Sequence, residues 1–274
     1  MYLGSMKTTY TCILLGLLAG CTVNPYKATN KEYKRQARGY ARTIGETPLN
    51  TGVDSVPAPP YWVGTTNFNL RRPNFVIIHH TAQNSCPQTL QTFTMPRSQV
   101  SAHYVICKDG TVHHMLNDYL RAWQAGISRW GNVTDVNSIS IGIELDNDGF
   151  EPFDSAQIAS LLHLLRQLKS SYSIPTANFI GHADIAPTRK DDPNFWFPWK
   201  QLADSGYGLW YPDTTGINVP PAFSTITALR IIGYNVHDSI AAIRAFKRHF
   251  EADTTRTWGL TDEKVLYSLY RQYQ

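Results

Sequence analysis

Apolar positions along this chain fall into short runs of two periods, and strand-like runs intermix with helix-like ones. Phe75-Val76-Ile77-Ile78, inside Asn74 to His80, is a continuous β-branched run suited to a strand buried on both faces. Ser101 to Cys107 and Thr111 to Leu116 flank Lys108-Asp109-Gly110, and Asp-Gly between two strand-like runs predicts a hairpin. Ser138 to Leu145 alternates, with Ile139, Ile141 and Ile143 on one face and Ser140, Gly142 and Glu144 on the other. Glu144 therefore ends a small, polar strand face of the kind that lines a cleft. The period then changes: Ile158, Leu161, Leu162, Leu165 and Leu168 recur at helical spacing as far as Ser170, ahead of Pro175. Asp154 is the expected cap of that helix, with Gln157 as its capping-box partner. Phe179-Ile180 reads as one more short strand, delivering Gly181-His182. This mixture predicts an α/β domain over residues 51–210, a mixed central sheet flanked by helices.

Residues 211–222 are turn-rich and read as a linker. Three helical patterns follow in residues 223–274: Thr225 to Ile232 stopped by Gly233, an Asp238-capped set of Ile240, Ile243, Phe246 and Phe250, and a Thr261-capped set of Val265, Leu266 and Leu269. They predict a small C-terminal three-helix domain. At the other end, Lys7 precedes the apolar Cys12 to Leu18 and then Ala19-Gly20-Cys21, a signal segment over residues 1–20. Its apolar run is too short to span a bilayer, which takes roughly 20 residues. Met6 begins a conventional signal by itself. Leu18-Ala19-Gly20-Cys21 resembles the lipobox of bacterial lipoproteins, which implies lipidation of Cys21; the alternative is an ordinary cleaved signal with an incidental Cys. Thr22 stands where an inner-membrane retention signal would place Asp, so the resemblance implies an outer-membrane lipoprotein facing the periplasm of a Gram-negative cell. Residues 21–50 are polar and mildly basic (Lys27, Lys31, Lys34, Arg35, Arg38, Arg42), without a sustained apolar period, and read as a tether. Val56-Pro57-Ala58-Pro59-Pro60 is a stiff entry into the fold.

Composition narrows the function classes. At 42% hydrophobic and 12% aromatic, the 274 residues are those of a globular rather than a disordered chain. The formal charge is +4, from 25 Lys+Arg and 21 Asp+Glu, and without Lys7 it is 24 − 21 = +3. That balance is too mild to argue for nucleic acid. Cys86 and Cys107 permit one bridge in an oxidising compartment, and the sequence leaves a disulfide and two buried thiols both open.

The candidate chemistry comes from strand ends. His79 ends a strand, Glu144 ends another and His182 follows a third, so the three can gather at one edge of a sheet. One histidine after a strand is more often structural; the convergence is what counts. A catalytic zinc takes three imidazole or carboxylate ligands and leaves a position open for water. His79, His182 and Asp192 supply such a set, and Glu144 is then a carboxylate outside the ligand set, able to take the water's proton.

Five motifs in order make the reading specific: Ile78-His79-His80-Thr81, Ser101-Ala102-His103-Tyr104, Ala122-Trp123-Gln124-Ala125-Gly126, Ser140 to Leu145, and Gly181 to Pro193. Across about residues 70–205 the chain resembles the zinc-dependent N-acetylmuramoyl-L-alanine amidases of the type 2 family. The resemblance implies one Zn²⁺ per chain on His79, His182 and Asp192, with Asp184 and Asp191 as decoys, Glu144 as the catalytic carboxylate and Lys190 facing the scissile carbonyl. It implies a monomer that acts on peptidoglycan or muropeptides, cutting the lactyl amide between N-acetylmuramic acid, ordinary or anhydro, and L-alanine. The family often has Trp-His-Ala-Gly where this chain has Trp123-Gln124-Ala125-Gly126, so an imidazole is exchanged for an amide that cannot titrate. That departure bears on substrate preference and pH optimum. His80, Trp123 and Gln124 are the expected substrate contacts; Trp123 and Trp130 are candidates to pack on sugar or peptide, with the core as the alternative. His103 is expected behind the site or in the core, His113 and His114 on opposite strand faces, and His163 and His249 on the surface. The C-terminal patterns resemble the type 1 peptidoglycan-binding domain, with a structural helical cap as the competing view. The rival to an enzyme is a peptidoglycan-recognition lipoprotein of the same fold without catalysis.

Overall fold

The computed structural model describes residues 24–46, 65–67, 69–70, 72–255 and 257–274. The signal segment, Cys21 and the Pro-rich entry at 56–60 lie outside the described residues. The chain divides into two compact units, Met1–Thr66 and Asn67–Gln274. In the first, where the polar composition predicts a tether, Lys27–Gly45 forms a helix, α1. Ala28, Lys31, Lys34, Arg35, Gln36, Ala37, Arg38, Ala41 and Arg42 are good helix formers and no proline interrupts them. Propensity rather than a buried apolar stripe makes this helix, since none of its residues is buried.

The second unit is built on a five-stranded sheet in the order β3-β2-β4-β1-β5, with β1 Phe75–His80, β2 Tyr104–Ile106, β3 Val112–His114, β4 Ser140–Leu145 and β5 Phe179–Gly181. β1 runs parallel to both β4 and β5, β2 runs parallel to β4, and β3 pairs antiparallel with β2 as the predicted hairpin. Helix α2, Cys86–Thr94, follows β1. A disulfide joins its first residue to Cys107 just past β2, across a Cα–Cα distance of 5.4 Å.

The period-two alternation sorts the sheet into two faces. Val76, Ile78, Ile141, Ile143 and Leu145 meet Leu161, Leu165 and Leu168 of α3, Ser155–Tyr172. Asp154 precedes α3, but its side chain caps nothing, so the predicted capping box does not form. Gln157 is fully buried and its Nε2 donates to the carbonyls of Ile106 (2.9 Å) and Asp146 (3.2 Å). Two buried carbonyls at strand ends take the donor, because leaving them unpaired costs more than a lost cap.

On the opposite face lie α4, His182–Ile185, and the C-terminal helices α6, Thr225–Ile232, α7, Ser239–Glu251, and α8, Leu260–Tyr270, while α5, Trp199–Asp204, sends Trp199 and Leu202 into the α3-side cluster. Ile77 and Ile180 of the sheet share one apolar cluster with Leu229, Phe246 and Leu266. The three helices therefore cover a sheet face instead of standing apart beyond a linker. α7 starts as predicted, with the Asp238 side chain accepting from the Ala241 N–H at 2.9 Å. α6 ends at Gly233 (φ 137°), where the Trp130 ring fills the space a Cβ would need. Trp130 is thus core, edge-on to Tyr234. α8 is capped differently from the prediction: the Gly259 N–H donates to Asp262 Oδ2 at 2.5 Å and Thr261 sits inside the helix.

Candidate active site

The parallel register sets His79 directly opposite Glu144 and pairs Ile78 with Gly181, one residue before His182. His79 and Glu144 project on the Ile77 face, since side chains two apart share a face. Asp192 arrives by a turn after α4: the N–H groups of Arg189 and Lys190 both donate to the Ala186 carbonyl (2.9 Å each), and the Ala183 N–H donates to the Asp192 carbonyl (2.8 Å). The chain folds back on α4, leaving Asp192 beside His182 while Asp191 is exposed.

His79 Nδ1, His182 Nδ1 and Asp192 Oδ2 form a triangle with three sides of 3.0 Å. All three residues are buried. Their far sides determine what the near sides carry. His182 Nε2 faces the Ala125 carbonyl at 3.1 Å, and His79 Nε2 faces Gln124 Oε1 at 2.6 Å. The Gln124 orientation follows from a relay: Ser140 Oγ donates to the Val136 carbonyl (2.7 Å), so it accepts from Gln124 Nε2 (2.8 Å), which turns Oε1 toward His79. Both imidazoles therefore carry their proton on Nε2 and aim bare Nδ1 lone pairs at the point Asp192 also faces. Three acceptors without a proton between them call for a cation. A tetrahedral zinc with bonds near 2.05 Å wants ligand atoms about 3.3 Å apart, so the donor set fits that ion.

The charge states of His182 and Asp192 agree with this. Burial, reinforced by the His79 charge, pushes the His182 imidazole down to about 4. Burial would raise the Asp192 carboxyl, but His182 and His79 hold it well below the usual carboxylate range. Burial also lowers His79, yet the Glu144 and Asp192 charges outweigh it and leave the group raised: the two carboxylates favour a positive charge at this point, which a proton on His79 or a cation between the three groups supplies. Glu144 stands beside the triangle with Oε2 buried and unpartnered. Burial pushes its carboxyl up to about 7, Asp192 adding to the shift while His79 and Lys190 oppose it. A carboxylate poised there exchanges protons readily near neutral pH.

Residues 69–195 match the family model described as N-acetylmuramoyl-L-alanine amidase. The N-acetylmuramoyl-L-alanine amidase AmiD of Escherichia coli is 36% identical over 211 residues, covering 65% of this chain and 75% of that protein. The chain belongs to the N-acetylmuramoyl-L-alanine amidase family. Among solved structures, the complex of E. coli AmiD with anhydro-N-acetylmuramic acid-L-Ala-D-gamma-Glu-L-Lys superposes with a TM-score of 0.67 at 30% identity, over 77% of this chain and 93% of that one. AmpDh3 from Pseudomonas aeruginosa in complex with anhydromuramic pentapeptide gives 0.67 at 29% identity, over 78% and 97%.

In this amidase a cleft of about 300 Å³ opens onto the triangle, lined by His80, Trp123, Gln124, Glu144 and Lys190 among others. Trp123 is 50% exposed at its side. The His80 ring accepts from the Asn194 N–H at 3.1 Å. The Gln124 amide, expected to meet substrate, is spent on His79 and Ser140 and is buried. Gly142 makes room for it: a Cβ there would strike the Gln124 side chain. His103 lies in the core, Nδ1 accepting from the Gly142 N–H (3.1 Å) and Nε2 donating to the Leu120 carbonyl (2.9 Å).

His249 corrects the sequence expectation most sharply. It is 5% exposed, stacks on Trp199 with ring centroids 3.8 Å apart, and its Nδ1 meets Asp184 Oδ2 at 2.7 Å. Asp184 also accepts from the Tyr234 hydroxyl (2.7 Å) and the Gly181 N–H (2.7 Å). The C-terminal helices thus grip the residues on either side of His182. Nothing local in the sequence pointed to His249, nor to the packing of Gln124 over Gly142.

Proposed function

We propose that this amidase hydrolyses the lactyl amide between N-acetylmuramic acid and L-alanine, with zinc held by His79, His182 and Asp192. The observation that carries the reading is the triangle of three converging ligand atoms, with sides of 3.0 Å, beside a Glu144 oxygen that has no partner among the described residues. When bound there, zinc polarises the scissile carbonyl and makes a bound water acidic enough to ionise near neutral pH. Glu144 takes the proton of the attacking water and returns it to the departing alanine nitrogen, so one carboxylate serves as base and then acid. Lys190, half-buried at the cleft wall, faces the oxygen that becomes negative as the tetrahedral carbon forms; a fixed cation in a desolvated cleft is worth a few kcal/mol there, on the order of 3. Trp123 and His80 border the path of sugar and peptide. Anhydro-muropeptides are the preferred substrates in this reading, supported by the ligands named for two related structures. The lipobox-like Leu18-Ala19-Gly20-Cys21 supports an outer-membrane lipoprotein facing the periplasm.

The test is mass analysis of products from purified anhydro-muropeptides. The parent releases free peptide with an L-alanine amino terminus, and Glu144→Gln lowers turnover by about 10²- to 10⁴-fold while still binding stoichiometric zinc. Because Glu144 must be ionised to act, turnover rises with pH through about 7, and a bound dication draws that midpoint lower. Equal turnover by Glu144→Gln, or cleavage at any other bond, contradicts the assignment.

A further inference from the structure

The six basic residues of α1 share one side of the helix. At 3.6 residues per turn, Lys27, Lys31, Lys34, Arg35, Arg38 and Arg42 fall within an arc of about 100°, and all six are exposed. The helix has one acid, Glu32, which pairs with Arg35 at 2.5 Å from the edge of that arc. Tyr33, Ala37, Tyr40 and Ile44 occupy a second strip about 60° wide, on which Tyr40 is 58% and Ile44 73% exposed. None of the helix is buried. Among the described residues no buried face supports the helix, which rests on propensity, and Thr29, Gly39 and Thr43 weaken that. A basic side next to an aromatic and aliphatic strip is the pattern of a helix that lies in a membrane interface.

We propose that α1 docks on anionic phospholipid headgroups at the bilayer surface, with Tyr40 and Ile44 entering the headgroup region and the long basic side chains reaching the phosphates. The placement rests on the lipoprotein reading. An acylated Cys21 is joined to Lys27 by five residues, which span at most about 20 Å. That holds Lys27, where the basic arc begins, within roughly two Debye lengths of the lipid phosphates, and the rest of the arc reaches the surface when the helix lies flat on it. Charge complementarity selects the lipid, each cation near an anionic surface strengthening binding by about fivefold.

The experiment uses the mature chain from residue 21 with Cys21→Ala, so that acylation contributes nothing. Its partition is measured by co-sedimentation with phosphatidylcholine vesicles and with vesicles containing phosphatidylglycerol, and hydrogen exchange reports on residues 27–45. The expected result is binding to the phosphatidylglycerol vesicles alone, weakened by salt, with new protection in α1. Combining Lys27→Gln, Lys31→Gln, Arg38→Gln and Arg42→Gln should reduce that partition by a factor on the order of several hundred, with turnover of soluble muropeptides unchanged. Equal partition into both vesicles, or an unaffected quadruple variant, overturns the proposal. So does a quadruple variant that loses binding to purified sacculi but keeps binding to vesicles. The anchor is read separately: an unacylated Cys21 in the mass of the cell-derived protein refutes the lipoprotein reading, while the vesicle result still decides α1.

Discussion

Gln124 lies between a hydroxyl and an imidazole whose other partners leave its amide one orientation. Ser140 spends its proton on the Val136 carbonyl, and His79 is left to donate from Nε2. An outer partner of this kind fixes a ligand's tautomer and ring angle, and its loss typically costs 10- to 100-fold in metal affinity, about 1.4 to 3 kcal/mol. Gln124→Ala should therefore weaken zinc binding by roughly that factor in competition with a chromophoric chelator, with the fold intact by circular dichroism. Unchanged affinity would show that the contact is idle. His79, Glu144 and His182 were legible as a candidate site because residues at strand ends gather at a sheet edge, and Asp192 because the resemblance marked it out from Asp184 and Asp191. The role of Gln124 was not, because its partners lie on other strands and only the folded register brings them within reach.

Helix boundaries were legible where one residue has one local use. Gly233 stops α6 with a positive φ and Asp238 caps α7. They were misread where a side chain had competing partners: Gln157 serves strand carbonyls, and Asp262 displaces Thr261 as the cap of α8. The α7–α8 junction also stores a pH dependence. Burial, with Asp262 as a proton acceptor and neighbouring charge, pushes the Glu251 carboxyl up to about 8 from the ordinary 4.5. A raised carboxyl contributes stability that is complete below the unfolded value and is lost as pH climbs through the folded one. Glu251→Gln keeps a donor toward Asp262 and removes the charge. Its Tm relative to the parent should accordingly rise between about pH 4.5 and pH 8, read by thermal melts across that range. A constant difference would place Glu251 in ordinary solvent.

At the scale of the whole molecule, the sheet and the C-terminal helices share the Ile77–Leu229–Phe246 cluster and the Asp184 network. Residues 67–274 should then unfold in one calorimetric transition whose van't Hoff and calorimetric enthalpies agree. Two resolved transitions would restore the separate domain that the turn-rich segment 211–222 suggested. Periodicity and residue type by themselves determined the strands, the hairpin, α3 and the three C-terminal helices, since these depend on neighbours along the chain, while α1, α2, α4 and α5 went unpredicted and the resemblance singled out Asp192 as the third ligand. The tertiary structure alone decided that His249 and Trp130 are buried, that Gln124 backs His79, that Cys86 and Cys107 meet, and that the C-terminal helices close a sheet face. Each of those contacts joins residues distant in sequence, and burial and hydrogen bonding between them exist only once the chain has brought both sides together.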